Sequence, residues 1–298
     1  MAMTMTEFLV LADADLDKIW MEEELPYETI YSKFVNVITQ SDLYKRDAKM
    51  AGFGSSVEIG EGGAITYDEA ISPITRRYDL TKRGLGYKIT DKLWKFDKYG
   101  EVRGLEAALR RADADDTEVY FHALFNNATN TTISAGFDSL ALVSTAHTRL
   151  DAGATQANRP TTLTALSLTA LQDAVIAFRN FVDDRGRVYR SDPRKLMIPL
   201  DLTMTAEEIL GSSMRPDTAN NTTNAITRFG ISTMESPYLT SATYWALMAD
   251  KHDINALWNQ RPEQDSETDF DTDTIKRKNT KWVGRGHGEW RGFYLGNS

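Results

Sequence analysis

The chain contains no cysteine, which excludes a disulfide framework and a thiolate-held metal and suits a reducing cytosol. It also lacks any excess of positive charge. The formal net charge is −9, whereas proteins that grip nucleic acid tightly present a basic face to the phosphates. That balance argues against a dedicated nucleic-acid binder but leaves room for a surface that lies beside DNA. No run approaches the ~20 apolar residues of a membrane span, so no membrane partner is expected. The short apolar run 8–12 has no basic residue before it and meets Asp13, Asp15 and Asp17 at once, unlike an export signal. Catalytic signatures are missing too. There is no phosphate loop, no third glycine after Gly52-Phe53-Gly54, no H-E-x-x-H zinc pattern and no G-x-S-x-G elbow. The four histidines, His122, His147, His252 and His287, lie far apart in the chain.

What is present is ordinary globular material: 298 residues, 41% apolar and 26% charged, enough for one large domain or two moderate ones. Two helical stretches open the pattern. The first covers about 13–24 and stops at Pro26, which cannot sit inside a helix without breaking a bond. In the second, Tyr27, Ile30, Tyr31, Phe34, Val35 and Ile38 share one face at helical spacing and predict core packing.

From Gly52 to Asp91 the period changes to two. Gly52, Gly54, Gly60, Gly62 and Gly63 crowd the start, where the backbone turns sharply. Ile74, Arg76, Tyr78 and Leu80 then alternate with polar residues, and after Gly84 so do Leu85, Tyr87 and Ile89; these predict the two strands of a long antiparallel hairpin. Its charge is divided. Glu58, Glu61, Asp68 and Glu69 come first, and Arg76, Arg77, Lys82, Arg83, Lys88 and Lys92 follow, against Asp79 and Asp91. Cross-strand pairing within the ribbon is one account. A two-stranded ribbon is marginally stable alone, however, so docking on a neighbouring molecule is the preferred one.

A long helix is predicted over about 101–127, with Val102, Leu105, Leu109, Ala112, Val119 and Ala123 facing inward and a Glu106–Arg110 pair on the polar side. Its length, roughly 40 Å at 1.5 Å per residue, suits a spine. Beyond it an α/β section is expected: a helix over 166–182, a turn at Asp183-Asp184-Arg185-Gly186, a strand over 195–200, and a helix from 205 capped by Thr203 or Thr205. An exposed loop follows over 211–224, then strands around 226–234 and 243–248, and a strand-rich close.

Two residue groups resemble sites but carry stronger structural readings. Ser144 and His147 are residue types of a hydrolytic pair, yet a triad is defined by geometry and almost any chain this long contains them. Asp265, Glu267, Asp269, Asp271 and Asp273 form a carboxylate ladder, but the sixth position of a calcium loop must be glycine and is Phe270 here. No cofactor, metal or catalytic residue is assigned, and the chain reads as a structural protein rather than an enzyme.

The order of these features, with several local phrases, resembles the major capsid proteins of tailed bacteriophages, including the Mu-like head-subunit group. The phrases are Gly136-Phe137-Asp138-Ser139-Leu140 with Ser144-Thr145-Ala146-His147, Leu196-Met197-Ile198-Pro199 with Ala206-Glu207-Glu208-Ile209-Leu210, Ser236-Pro237-Tyr238-Leu239-Thr240, and Trp290-Arg291-Gly292. The resemblance spans about residue 27 to the end. It implies an α+β fold of the Hong Kong 97 type: an N-terminal arm (1–50), an extended hairpin or E-loop (51–92), a peripheral domain with the spine helix (93–159 and 250–298) and an axial domain (160–249). It implies a shell of hexamers and pentamers around phage double-stranded DNA, a non-specific neighbour, in a virion capsid assembled in the bacterial cytoplasm.

On this mapping Gly60, Gly62, Gly63, Arg76, Arg77, Lys82 and Arg83 lie at the subunit interface, and Arg215, Pro216, Asn220 and Asn221 form the axial loop. A portal and a separate scaffolding protein are the further partners implied, since the roughly fifty residues before the E-loop leave no room for a long scaffolding segment. Lys82 and Lys88 lie where some relatives link subunits covalently, but no partner motif accompanies them. An encapsulin-type compartment shares the implied fold, and a soluble α+β hydrolase using Ser144, His147 and a carboxylate is the alternative of a different class.

Overall fold

The computed structural model describes Lys18 and residues 28–96, 101–215, 222–269 and 271–297. The helix expected over 13–24 lies outside them, apart from Lys18, which is helical. The expectation of a mixed α+β chain is met. Among the described residues, ten strands and four α-helices are arranged as two four-stranded sheets, a two-stranded ribbon and helices packed around them.

The first sheet has the order β1-β8-β9-β4, formed by Asn36–Thr39, Ile254–Asp269, Thr274–His287 and Thr81–Thr90. β1 runs parallel to β8, whereas β9 is antiparallel to both of its neighbours. The second helix expected at the N-terminus is not there. A 3-10 turn, Tyr31–Lys33, leads straight into β1. The apolar spacing was a true burial signal, since Tyr31, Phe34 and Val35 all reach the core. The β-branched run Val37-Ile38-Thr39 favours a pleated strand, and an unpaired edge of β8 receives it.

The second sheet has the order β10-β7-β5-β6, formed by Phe293–Asn297, Trp245–Ala249, Pro193–Ile198 and Ser232–Glu235. β7 explains why this sheet reads as an unbroken apolar run. Ala246 and Met248 point into a core shared with Phe34, Phe121 and Phe125, and Trp245, Leu247 and Ala249 point into a second core with Leu171, Val175 and Phe178. A strand covered on both faces has no solvent side to keep polar.

Four helices complete the fold: α1, Asp91–Lys95; α2, Glu101–Asn126; α3, Leu168–Arg179; and α4, Thr203–Gly211. The Ser167 hydroxyl caps α3 by accepting from the Ala170 amide. Neither Thr203 nor Thr205 caps α4, whose N-cap residue is Leu202, because a 3-10 turn at Leu200–Leu202 feeds directly into the helix.

The long helix α2 lies where the sequence puts it, but rotated. Leu105 and Val119 are exposed, while Val102, Leu109, Phe121, Leu124 and Phe125 are buried together with Glu106, Asp113, Thr117, Glu118 and His122. The polar members answer cations on β9. Arg277 pairs with Glu106 at 3.1 Å, and Lys281 reaches Asp113 at 2.9 Å and Asp116 at 3.0 Å. Glu106 also accepts from Tyr87 and Gln264, so it faces the sheet rather than the solvent. Glu118 accepts the amides of Ile30 (2.7 Å) and Tyr31 (2.9 Å), fastening the N-terminal turn to the helix. Burial raises its carboxyl pKa, and these two bonds oppose the shift.

Candidate assembly surface

The ribbon is built from different strands than the alternation suggests. β2, Tyr44–Ala51, pairs antiparallel with β3, Ile71–Asp79, from Tyr44 opposite Asp79 to Ala51 opposite Ile71. β4 does not fold back on β3; after Leu80 it pairs with β9 in the first sheet. A hairpin between β3 and β4 would need a reversing turn, and Asp79-Leu80-Thr81 offers neither glycine nor asparagine for one. The residues that do reverse the chain lie at the tip, 52–70. There Gly63 donates to the Gly60 carbonyl at 2.8 Å, and Gly62 takes φ +77°, a left-handed conformation that glycine enters without strain.

The tip is braced by its own root. Asp68 accepts from the Gly54 amide at 2.6 Å, and that bond chiefly holds its carboxyl below the usual range. Arg185, in the turn after α3, donates to the carbonyls of Gly52 (2.8 Å) and Glu69 (2.5 Å), clasping both sides of the loop where it leaves the ribbon. Beside it lies a charged quartet, of which Asp184 and Arg291 are buried and Lys49 and Glu289 half-buried. Lys49 on β2 pairs with Asp184 at 2.6 Å and with Glu289. Arg291, fully buried, joins Asp184 at 3.0 Å and Glu289 at 2.8 Å and lies over the Trp290 ring. The sequence reading placed Asp184 in a turn and Arg291 in a family phrase, and missed that Lys49 and Arg291 share the carboxylates of Asp184 and Glu289. The available signal was the clustering of charge beside Phe181, Trp290 and Phe293, where uncompensated charge would be costly.

Beyond that anchor, few of the described residues cover the ribbon. Leu43, Tyr44, Met50, Phe53, Val57, Ile59, Ile65, Tyr67 and Ile74 are all exposed, Tyr67 at 90%. So many large apolar side chains exposed on one projection mark it as an interaction surface. Gly60, Gly62 and Gly63 lie at the tip and Arg76 and Arg77 on the shaft, so these five expected interface residues share one projection. Arg77 pairs with Asp79 at 2.6 Å and lies over Tyr44, while Arg76 sits opposite Asp47. The tip acids Glu58 and Glu61 form no ion pair among the described residues.

Lys82 and Arg83 belong to the body sheet instead, on β4. Arg83 donates to Asp116 at 3.0 Å. Burial works against ionisation of Asp116, but its bonds to Arg83 and Lys281 prevail and hold its pKa below the usual range.

The loop after α4 is pinned at its stem. Arg215 donates its amide to the Thr222 carbonyl at 2.8 Å, and buried Asn224 donates to the carbonyls of Ile209 (2.7 Å) and Ser212 (3.0 Å). Pro216, Asn220 and Asn221 lie outside the described residues.

The hydrolase constellation does not form. The His147 ring nitrogens lie 2.6 Å from Asp138 and 3.1 Å from Asn158, and its ring stacks on Trp290 at 4.2 Å. The Ser144 hydroxyl accepts the Ala146 amide instead of facing that imidazole. In the carboxylate ladder, Asp265 pairs with Lys278 and Asp269 with Lys276 across the β8–β9 arm. Among the described residues no cluster of three or more metal-ligating side chains occurs, and no helix is long and apolar enough to cross a membrane.

Comparison with known proteins gives one family and one fold. A family model described as "Phage capsid protein" matches residues 73–296. Among solved structures, a chain from Mycobacterium phage Adephagia superposes with a TM-score of 0.59 at 10% identity, covering 93% of this chain and 92% of that one. A chain from the capsid of cyanophage P-SCSP1u gives 0.59 at 12% identity, with coverage of 93% and 92%. One from Microbacterium phage Oxtober96 gives 0.55 at 12% identity, covering 100% and 99%. No curated protein sequence matches.

Proposed function

Because the chain belongs to the phage capsid protein family, and carries the Hong Kong 97-type fold, we propose that its ribbon is the arm by which each copy grips the next in a closed shell. The protein is the major capsid subunit of a tailed phage, a structural component of the virion that works by self-assembly. The observation that carries the arm's role is the ribbon with its exposed apolar set, Met50 to Ile74, rooted in the body by Lys49 and Arg185. A firmly rooted arm that leaves its apolar side chains in water is suited to be buried on another copy. Closed point symmetry then ends growth after a fixed number of copies.

The finer reading follows the same geometry. Residues 93–159 and 250–298, with α2, form the peripheral domain, and residues 160–249, with α3, α4 and strands β5, β6 and β7, form the axial domain, where Arg215 and Asn224 stand at the stem of the loop assigned to the capsomer axis. Hexamers and pentamers of this subunit enclose double-stranded DNA. A separate scaffolding protein and a portal assist assembly in the bacterial cytoplasm. The test is electron microscopy and light scattering of the purified full-length chain, with and without its scaffolding partner. Closed particles are expected, and monomers or dimers alone at high concentration would refute the shell.

A further inference from the structure

The second sheet carries a feature that the arm leaves unexplained. At the start of β5, a cavity of about 290 Å³ is lined by Arg179, Asp192, Arg194, Arg228 and Phe229. Three guanidinium groups meet one carboxylate there, in a chain whose net charge is −9. Asp192 is already engaged by Arg179 at 3.1 Å. Arg194 donates to the Phe229 carbonyl at 2.7 Å, which commits one nitrogen and leaves the rest of its donors uncommitted. Arg228 has no ion pair or side-chain hydrogen bond among the described residues. Arg179 also lies over the Phe229 ring, 5.5 Å from its centre, so the ring forms part of the wall.

We propose that this cavity binds phosphate, and that its occupant in the particle is the backbone of the enclosed nucleic acid. The assignment rests on the shell reading for its source of phosphate. The chemistry rests on the cavity alone. A guanidinium presents a planar fork of N–H donors that matches two phosphate oxygens at once, and two such forks with no carboxylate partner complement an anion. Phosphate diesters repeat along a duplex, so one site per subunit becomes a regular lining. The remaining charge of the chain is acidic and repels the polyanion, which gives a local arginine set its purpose.

The test titrates the full-length protein with a short fluorescent DNA duplex over a range of salt, and separately with inorganic phosphate. Arg194→Gln with Arg228→Gln is the cavity variant, and Lys276→Gln with Lys278→Gln removes equal charge from the distant β8–β9 arm. Each lost phosphate contact should flatten the log–log salt slope by about 0.9. The cavity variant is therefore expected to lose about 1.8 in slope and affinity on the order of tenfold, and the arm variant neither. Equal losses in both variants would reduce the site to general charge, and an unchanged cavity variant would remove it. Binding of inorganic phosphate with no effect on the duplex would overturn nucleic acid as the occupant. Arg228→Glu changes a side chain with no ion pair or side-chain hydrogen bond to lose among the described residues, so it should melt as the parent does and bind the duplex less tightly, and unchanged binding with a normal melt would remove the site. Particle yield measured alongside separates the two ideas: normal empty particles with unchanged duplex binding would sink the phosphate site and leave the shell intact.

Discussion

Glu106 and Arg277 show how charge is used inside this chain. Both are buried, 3.1 Å apart, between α2 and β9. Removing the charge of one member takes a counter-charge from the other in a buried site, at a cost of up to about 3–5 kcal/mol, whereas replacing both with apolar residues of similar size is often neutral. Glu106→Ala should lower the unfolding free energy measured in urea by up to that amount, and Glu106→Leu with Arg277→Met should recover most of it. Two buried histidines, His122 and His287, and the half-buried His252 give a second expectation. Desolvation lowers His122 and His252 to about 4 and His287 to about 3. Above the unfolded value near 6.5 all three are neutral in both states and add no pH dependence. Below it the unfolded chain takes up protons that the native chain refuses, so stability falls by about 1.4 kcal/mol per pH unit for each histidine until its folded pKa is reached. The raised pKa of Glu118 works the other way, adding stability at low pH that is lost as pH rises through its folded pKa. Urea midpoints between pH 7 and pH 4 should fall, and His122→Gln should flatten the decline.

At the scale of elements, the ribbon's root and shaft invite separate tests. Arg185→Ala removes the clasp on Gly52 and Glu69. It should accelerate amide exchange and proteolysis within 52–70 while leaving the melting temperature nearly unchanged, because that loop contributes little to either core. Arg77→Glu breaks an exposed pair with Asp79 worth about 0–1 kcal/mol, so the free subunit should melt almost normally. Across an interface the same reversal places like charges together at several kcal/mol. Particle yield should therefore collapse, and normal yield would remove Arg77 from the docking surface.

The elements also show what was legible beforehand. α2, α3 and β5 were found within about three residues of their ends, because long periodic stretches and terminal turns leave clear marks. The partner of β3 was not. Alternation reports which faces are wet, not which strand lies alongside, and β2 was hidden by its charged run Lys45-Arg46-Asp47. The inward face of α2 was misjudged for a related reason: Glu106 and Asp113 look like surface residues until Arg277 and Lys281, more than 160 residues later, are brought beside them.

For the whole molecule, the two cores meet through the second sheet. β7 contributes alternate side chains to both, so neither core can lose its order without stripping a wall from the other. Calorimetry of the unassembled subunit should show one transition rather than two, despite a length that allows two domains. The ribbon extends that coupling outward. β3 passes into β4 through Leu80 alone, and Leu80 is held by the Leu43 carbonyl at 3.2 Å and packed against Tyr78 and Leu257. The arm and an edge of the body sheet are thus a single continuous run of backbone. A neighbour that twists the arm applies torque to β4, and through its ten-residue ladder to β9 and the spine. Strain that arises at one contact in the particle is in this way delivered as shear along hydrogen bonds loaded in parallel, the direction in which a sheet yields least.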